Sequence, residues 1–218
     1  MLKKPLAALA ALLFLTLPGF GQDGHYDASL NAAAIFTKQT NGDGVTQSAT
    51  NGAGGFASFR YRFNPRHSLV FTYGRTKNSQ IFQTIDSFHV LTSLSEFSVA
   101  YMFNFYQGHK FEPFVLGGVG GLRFHPNSTW LFLPPLNDEP NNLELSLNTA
   151  TQTELAVVYG FGADYKLPWH FALRMQYRGF LYKEPDFKID TNAGSSLSLF
   201  TGARTNMAEP SVGLVFRF

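Results

Sequence analysis

Cysteine is absent from the chain. An exported product without it has neither a disulfide framework nor a lipidated N-terminal thiol, so its stability must come from backbone pairing and packing. Charge is scarce too, at 15% of residues, with 17 Lys+Arg against 15 Asp+Glu. Lys3 and Lys4 fall in a leader, and taking these two from 17 leaves 15 basic residues facing 15 acidic ones. A balanced chain lacks the basic stripe that announces a nucleic-acid partner. Long apolar runs are missing beyond the leader, so no later segment could cross a bilayer as a helix, which takes about 20 apolar residues. The histidines stand singly, without metal-ligand spacing, so neither a metal site nor a cofactor is expected.

The leader itself is distinctive. After Lys3 and Lys4 comes an apolar run from Leu6 to Leu17, closed by Pro18-Gly19-Phe20-Gly21. A basic start, a short apolar centre and small residues at its end make a secretory signal peptide, expected to be cut after Gly21. Removing 21 of 218 residues leaves 197, from Gln22 to Phe218, which suits one domain.

Hydrophobic residues reach 44% and phenylalanine alone supplies 23, yet mean hydropathy is only −0.07. Apolar residues must therefore be spread out, and they alternate. Phe97, Val99, Tyr101, Phe103 and Phe105 interleave with Glu96, Ser98, Ala100, Met102 and Asn104. Leu155, Val157, Tyr159, Phe161 and Tyr165 interleave with Glu154, Ala156, Val158, Gly160 and Asp164. Phe171, Leu173, Met175 and Tyr177 interleave with Ala172, Arg174, Gln176 and Arg178, and Phe59, Tyr61 and Phe63 with Arg60 and Arg62. Period two with one wholly apolar face is a strand between two different environments. The second face is not the charge-rich surface of a soluble sandwich. It carries Gly, Ser, Ala and isolated charges, as a filled polar lumen does, while aromatics crowd the first face near the strand ends.

Strands are expected at about 26–36, 55–63, 68–76, 95–105, 111–124, 153–166, 171–182 and 208–218. The gaps alternate. Asn64-Pro65-Arg66-His67, Tyr106 to Lys110 and Leu167-Pro168-Trp169-His170 are tight turns, whereas 37–54, 77–94, 125–152 and 183–207 are long. Short turns at one end and long loops at the other are the asymmetry of bacterial outer-membrane barrels, and an even strand count puts both termini on the periplasmic side. Backbone in lipid must satisfy its own hydrogen bonds, so the sheet must close. The expected fold is an all-β, eight-stranded, antiparallel up-and-down transmembrane β-barrel in the bacterial outer membrane.

Two segments carry a family resemblance. Val212, Leu214, Phe216 and Phe218 alternate to the C-terminal phenylalanine, which resembles the assembly signal of outer-membrane proteins. Glu112-Pro113-Phe114-Val115-Leu116-Gly117-Gly118-Val119-Gly120 is similar to the Gly-rich fifth strand of small OmpA-like and opacity-like, porin-family barrels. The resemblance implies insertion by the outer-membrane assembly machinery, with the terminal strand as the recognised element. Because the chain stops at that strand, the periplasmic peptidoglycan-binding domain of some relatives is not expected.

Seven charges fall on the lumen face: Arg60, Arg62, Glu96, Glu154, Asp164, Arg174 and Arg178. They could line a narrow polar path, or they could pair and hold the strands together. An eight-stranded barrel is just wide enough for side chains to fill it, which favours pairing. If Glu112 also points inward, Phe114, Leu116 and Phe124 do so as well, and Arg123 faces out at the rim.

His125 and Ser128, with Glu154 as orienting carboxylate, raise the alternative of a lipid A-modifying enzyme, but Pro126 breaks the strand between the two, and a polar exit from the membrane is the preferred reading. Gly117 to Gly121 lacks the Lys-Ser/Thr and following helix of a phosphate loop. No catalytic residue is expected.

The expected role is non-enzymatic: envelope structure within outer-membrane lipids and surface loops offered to an external ligand, with a small passive channel as the alternative. The apolar residues Ile81, Phe82, Ile85, Phe88, Val90, Leu91 and Trp130 to Leu133 either form an adhesive surface or continue the strands past the membrane, the second being favoured. Asn41 to Gly55 is expected to be flexible.

Overall fold

The computed structural model describes residues 25–42, 45–83, 87–106, 110–132, 150–185, 187 and 203–218. The expected leader, 1–21, lies outside them. Among the described residues ten strands follow in chain order: β1 Tyr26–Thr37, β2 Thr40–Gly42, β3 Val45–Ala49, β4 Gly52–Arg62, β5 His67–Gln83, β6 Ser87–Asn104, β7 Phe111–Phe132, β8 Gln152–Lys166, β9 Phe171–Lys183 and β10 Arg204–Arg217. Eight of them run in the order β5-β4-β1-β10-β9-β8-β7-β6, and β6 pairs back onto β5 to close the ring. Every pairing is antiparallel. The barrel is the eight-stranded one read from the alternation; β2 and β3 form an extra hairpin, with β3 paired on β5.

The chain ends are stitched together. Tyr26 N–H donates to the Phe218 carbonyl at 3.1 Å and Phe218 N–H returns to Tyr26 at 2.9 Å. This seam lies at the same end as the three tight turns. One of them is closed by Leu167 N–H donating to the Phe171 carbonyl at 2.8 Å and bends through Trp169 and His170, both left-handed at φ 68° and 70°. Around the seam, aromatic rings form a girdle: Phe171–Phe216 centroids are 5.3 Å apart, Phe218–Tyr26 6.2 Å, Tyr26–Tyr61 5.2 Å and Tyr61–Phe63 5.1 Å. Above it the outward face is apolar, and on β8 the band runs from Leu155 to Tyr165. That length matches the roughly 9–11 residues a tilted strand uses to cross the hydrocarbon.

Three sequence expectations change at the long-loop end. Pro126 does not break its strand: β7 runs through it to Phe132, and the irregularity is taken up as a register shift against β6 between Leu91 and Thr92. The 77–94 segment is chiefly strand, because β5 continues to Gln83 and β6 starts at Ser87, in register through Asn78↔Thr92 and Gln80↔Val90. The reason is visible at Val90 and Leu94, which are fully buried. Strand continuation therefore accounts for Ile81, Phe82, Phe88, Val90, Leu91 and, on β7, Trp130 to Phe132; Ile85 and Leu133 lie outside the described residues. The third change is in Asn41 to Gly55. Instead of a flexible loop, the described part is the β2–β3 hairpin and the start of β4, with Gln47 wholly buried.

Candidate functional site

The lumen is the place where chemistry-bearing side chains converge, and it has two contrasting levels. The lower level, nearest the tight turns, is ionic. Arg60 on β4 donates through Nε to Asp27 on β1 at 2.5 Å and through Nη2 to Asp164 on β8 at 3.0 Å. Its Nη1 also lies 3.2 Å from the sulfur of Met102. Arg174 on β9 grips Asp164 with two parallel bonds, 2.7 and 2.9 Å long. That fork is the strongest common ion-pair geometry. Arg62 reaches Asp27 at 3.1 Å, Arg217 reaches Glu112 at 2.7 Å, and Lys166 reaches Glu112 at 2.8 Å. Five cations thus share three carboxylates, and Arg60, Arg174, Asp27 and Asp164 are essentially without solvent. Six barrel strands (β1, β4, β7, β8, β9 and β10) are cross-linked at one height.

One step higher, Arg178 on β9 sits between Glu96 on β6, at 2.8 Å, and Glu209 on β10. Its guanidinium lies 3.9 Å above the centroid of Phe56. Close approach here needs a missing side chain: a Cβ on Gly74 would come 2.8 Å from Glu96 Cγ and 3.0 Å from Phe56 Cβ. Gly162 serves Phe114 in the same way, since a Cβ there would meet the ring at 2.7 Å. In the Gly-rich run, Gly118 and Gly120 lie tight against β6, whereas Gly117 faces open space. The run is an architectural device, placing backbone close to backbone across β6 and β7.

The upper level is chiefly apolar, with Asn78, Gln80 and Thr92 buried towards its rim. Ile35, Leu94, Leu122, Phe124, Phe180 and Met207 are buried there together with Tyr182. The chain leaving β9 folds over this cluster, and Phe187 inserts edge-on against Phe124 with centroids 6.3 Å apart. Phe187 is held from both sides: its N–H donates to Gln152 Oε1 at 3.1 Å, and its carbonyl accepts from Ala150 N–H at 2.9 Å. The β2–β3 side closes down as well, through Thr40 Oγ1 donating to Glu184 at 2.5 Å and Gln47 Nε2 to the Pro185 carbonyl at 3.4 Å.

Of the seven charges read onto the lumen face, Arg60, Asp164 and Arg174 join the lower cluster, with Arg62 at its half-buried edge. Glu96 and Arg178 form the step above. Glu154 stands apart, half-buried near the upper end, where it accepts from Gln152 at 2.6 Å. Five further members were not singled out: Asp27, Lys166, Glu209 and Arg217, and Glu112, whose inward placement was conditional. Glu112 does face in, with Phe114, Leu116 and Phe124 buried beside it and Arg123 exposed. Parity would have found Lys166 and Arg217, since each flanks an outward aromatic residue in its own strand, Tyr165 and Phe216. On β10, Val212, Leu214 and Phe216 face outward at 48%, 48% and 45% exposure, and Phe218 completes the seam.

His125 is exposed on the outer wall and hydrogen-bonds Thr151 Oγ1 at 2.8 Å. Glu154 has the inward parity, next to the 86%-exposed Leu155, so the wall of the barrel separates it from His125. Among the described residues no group of three or more metal-ligating side chains occurs.

Several outer-membrane proteins of solved structure share this architecture. Neisserial surface protein A has a solved structure that superposes with a TM-score of 0.56 at 14% identity, covering 89% of this chain and 97% of that one. Outer membrane protein OprG of Pseudomonas aeruginosa gives 0.54 at 14% identity, with 91% and 98% covered. Ail, the attachment invasion locus protein of Yersinia pestis, gives 0.51 at 13% identity, with 88% and 97% covered. At such identities these similarities establish the fold. No curated protein matches the chain. The family of the outer membrane protein beta-barrel domain matches residues 7–218, nearly the whole sequence. The chain therefore belongs to the outer membrane protein beta-barrel domain family and resides in the bacterial outer membrane.

Proposed function

We propose that this protein is a non-conducting, non-enzymatic component of the outer membrane that stiffens the envelope and offers its long-loop end to a partner outside the cell. The observation that carries the reading is double closure. An ion passing along the lumen would have to cross the Arg60–Asp164 cluster and then the dry layer of Phe124, Phe180 and Phe187. Breaking buried ion pairs is costly, and an apolar constriction excludes water. Planar-bilayer recording of the folded, full-length protein tests this: no stable conductance is expected, and reproducible unitary steps would favour a small passive channel instead.

The presenting role is supported by strands that outrun the membrane. From Arg75 to Gln83, β5 continues for about 26 Å at roughly 3.3 Å per residue. Cells expressing a variant whose β5–β6 tip is replaced by a short turn should lose whatever surface adhesion the intact protein confers. Unchanged adhesion would remove that role and leave the structural one.

We also propose Val212, Leu214, Phe216 and Phe218 as the element the outer-membrane assembly machinery recognises. Phe218→Asp should sharply reduce the heat-modifiable, folded band in outer membranes, whereas a normal band would refute the assignment.

A further inference from the structure

The outward face of the barrel changes chemistry at one height. Across β5, β6, β7 and β8, the residues Tyr73, Phe97, Gly121 and Leu155 are register partners and form the last apolar row. The next outward row is Arg75, Ser95, Arg123 and Thr153, and the one above it begins Lys77, Ser93, His125. Strands lie about 4.8 Å apart, so Arg75 and Arg123 flank β6 at roughly 10 Å, and Lys77 stands about 7 Å further up its strand.

Arg75, Lys77 and Arg123 are exposed and form no ion pair among the described residues. Every described carboxylate is buried or half-buried, so nothing acidic on the described outer wall competes for them. Between them the wall is neutral: Ser93 is buried and accepts from Asn127 Nδ2 at 2.9 Å. Just below, the Tyr73 and Phe97 rings sit 4.8 Å apart, facing where acyl chains lie. The contrast with the lumen is plain, since there every cation described above is matched to a carboxylate.

Arginine forks and lysine ammonium groups suit phosphate oxygens, and desolvated aromatic surface suits hydrocarbon. We infer that this four-strand face binds the phosphate-bearing headgroup of an outer-leaflet lipid, with Arg75 and Arg123 holding the phosphate across β6, Lys77 above them, and the acyl chains along Tyr73 and Phe97.

The test is native mass spectrometry of the folded, full-length protein in neutral detergent with lipid A, dephosphorylated lipid A or inorganic phosphate added. Wild type should retain lipid A and lose it on dephosphorylation. Arg75→Ser with Arg123→Ser should weaken retention about tenfold or more, as expected for two lost charge-assisted contacts. Arg75→Lys with Arg123→Lys should keep most of it, and Arg66→Ser with Lys110→Ser, in the opposite turns, should keep all. Heat-modifiable migration separates weakened binding from misfolding; should the serine pair not fold, the dephosphorylated arm decides on its own. Equal retention of both lipids, or equal loss in the Arg66/Lys110 variant, would overturn the site. Free phosphate held as firmly as lipid A would overturn the lipid as its occupant.

Discussion

The lower and upper halves of the lumen solve one problem with opposite chemistry. Both fill a pore too narrow to be left empty. Below, Arg60, Arg174, Asp27 and Asp164 do so with charges whose positions are dictated by each other. Above, Leu122, Phe124, Phe180 and Phe187 do so with shape. The difference lies in how errors spread. A buried charge that loses its partner stays in a low-dielectric site, so damage is paid by every remaining member of the cluster. An apolar layer that changes shape loses only local contact and can repack. The ionic level therefore specifies the register of six strands, and the apolar level seals the mouth while tolerating variation.

Three substitutions would break or sharpen this contrast. The largest effect is expected at Arg60→Met, which removes the buried link between β4 and β8, leaves Asp27 to Arg62 and Asp164 to Arg174, and should cost about 3 kcal/mol, the low end for a broken buried pair, in urea-unfolding measurements in lipid vesicles. A loss as small as that of a surface change would mean the cluster is solvated and contributes little to register. At the boundary between the levels, Gly74→Ala would press a methyl group against Glu96 and Phe56. It should cost about 1–3 kcal/mol, the usual range for overpacking, and shift Arg178 off the Phe56 ring, read as a change in near-ultraviolet circular dichroism. Neutral behaviour would show that the Arg178 step is loosely packed. The smallest effect belongs to Phe180→Leu in the apolar layer, below about 1.5 kcal/mol in the same unfolding assay. A cost matching that of Arg60→Met would erase the distinction between the halves.

Much of the fold was legible because a barrel wall writes itself into sequence at period two. The Phe97–Phe105 and Leu155–Tyr165 alternations place lipid and lumen on opposite parities, and the positions of the tight turns order the strands. Less was legible where residues carry no contrast. Ala32, Ala33 and Ala34 give no phase on β1, which hid the inward turn of Asp27. The strand extension through Ile81 and Val90 resembled a loop because its polar neighbours, Asn78, Ser79 and Gln80, look like loop residues; β5 nevertheless pairs with β6 there, and Asn78 and Gln80 are buried. Glu209 precedes a proline and reads as the approach to a strand, yet it faces Arg178 from within β10.

By itself, the sequence determined that this chain must be a closed eight-stranded barrel with an aromatic exterior and a charged interior. Periodicity, turn length and the need to satisfy backbone groups in lipid are properties of local order, and they leave no other arrangement. Only the tertiary structure decided which charges meet. Asp27 and Asp164 are 137 residues apart in the chain, and Arg60 bridges them because the stagger of β1, β4 and β8 around the ring brings them to one height. It likewise decided that Phe187, from a long connection, packs across the mouth, and that Arg75 and Arg123 flank β6 on the outer wall with no ion-pair partner among the described residues. Contacts of that kind depend on register and closure, which no stretch of sequence encodes alone.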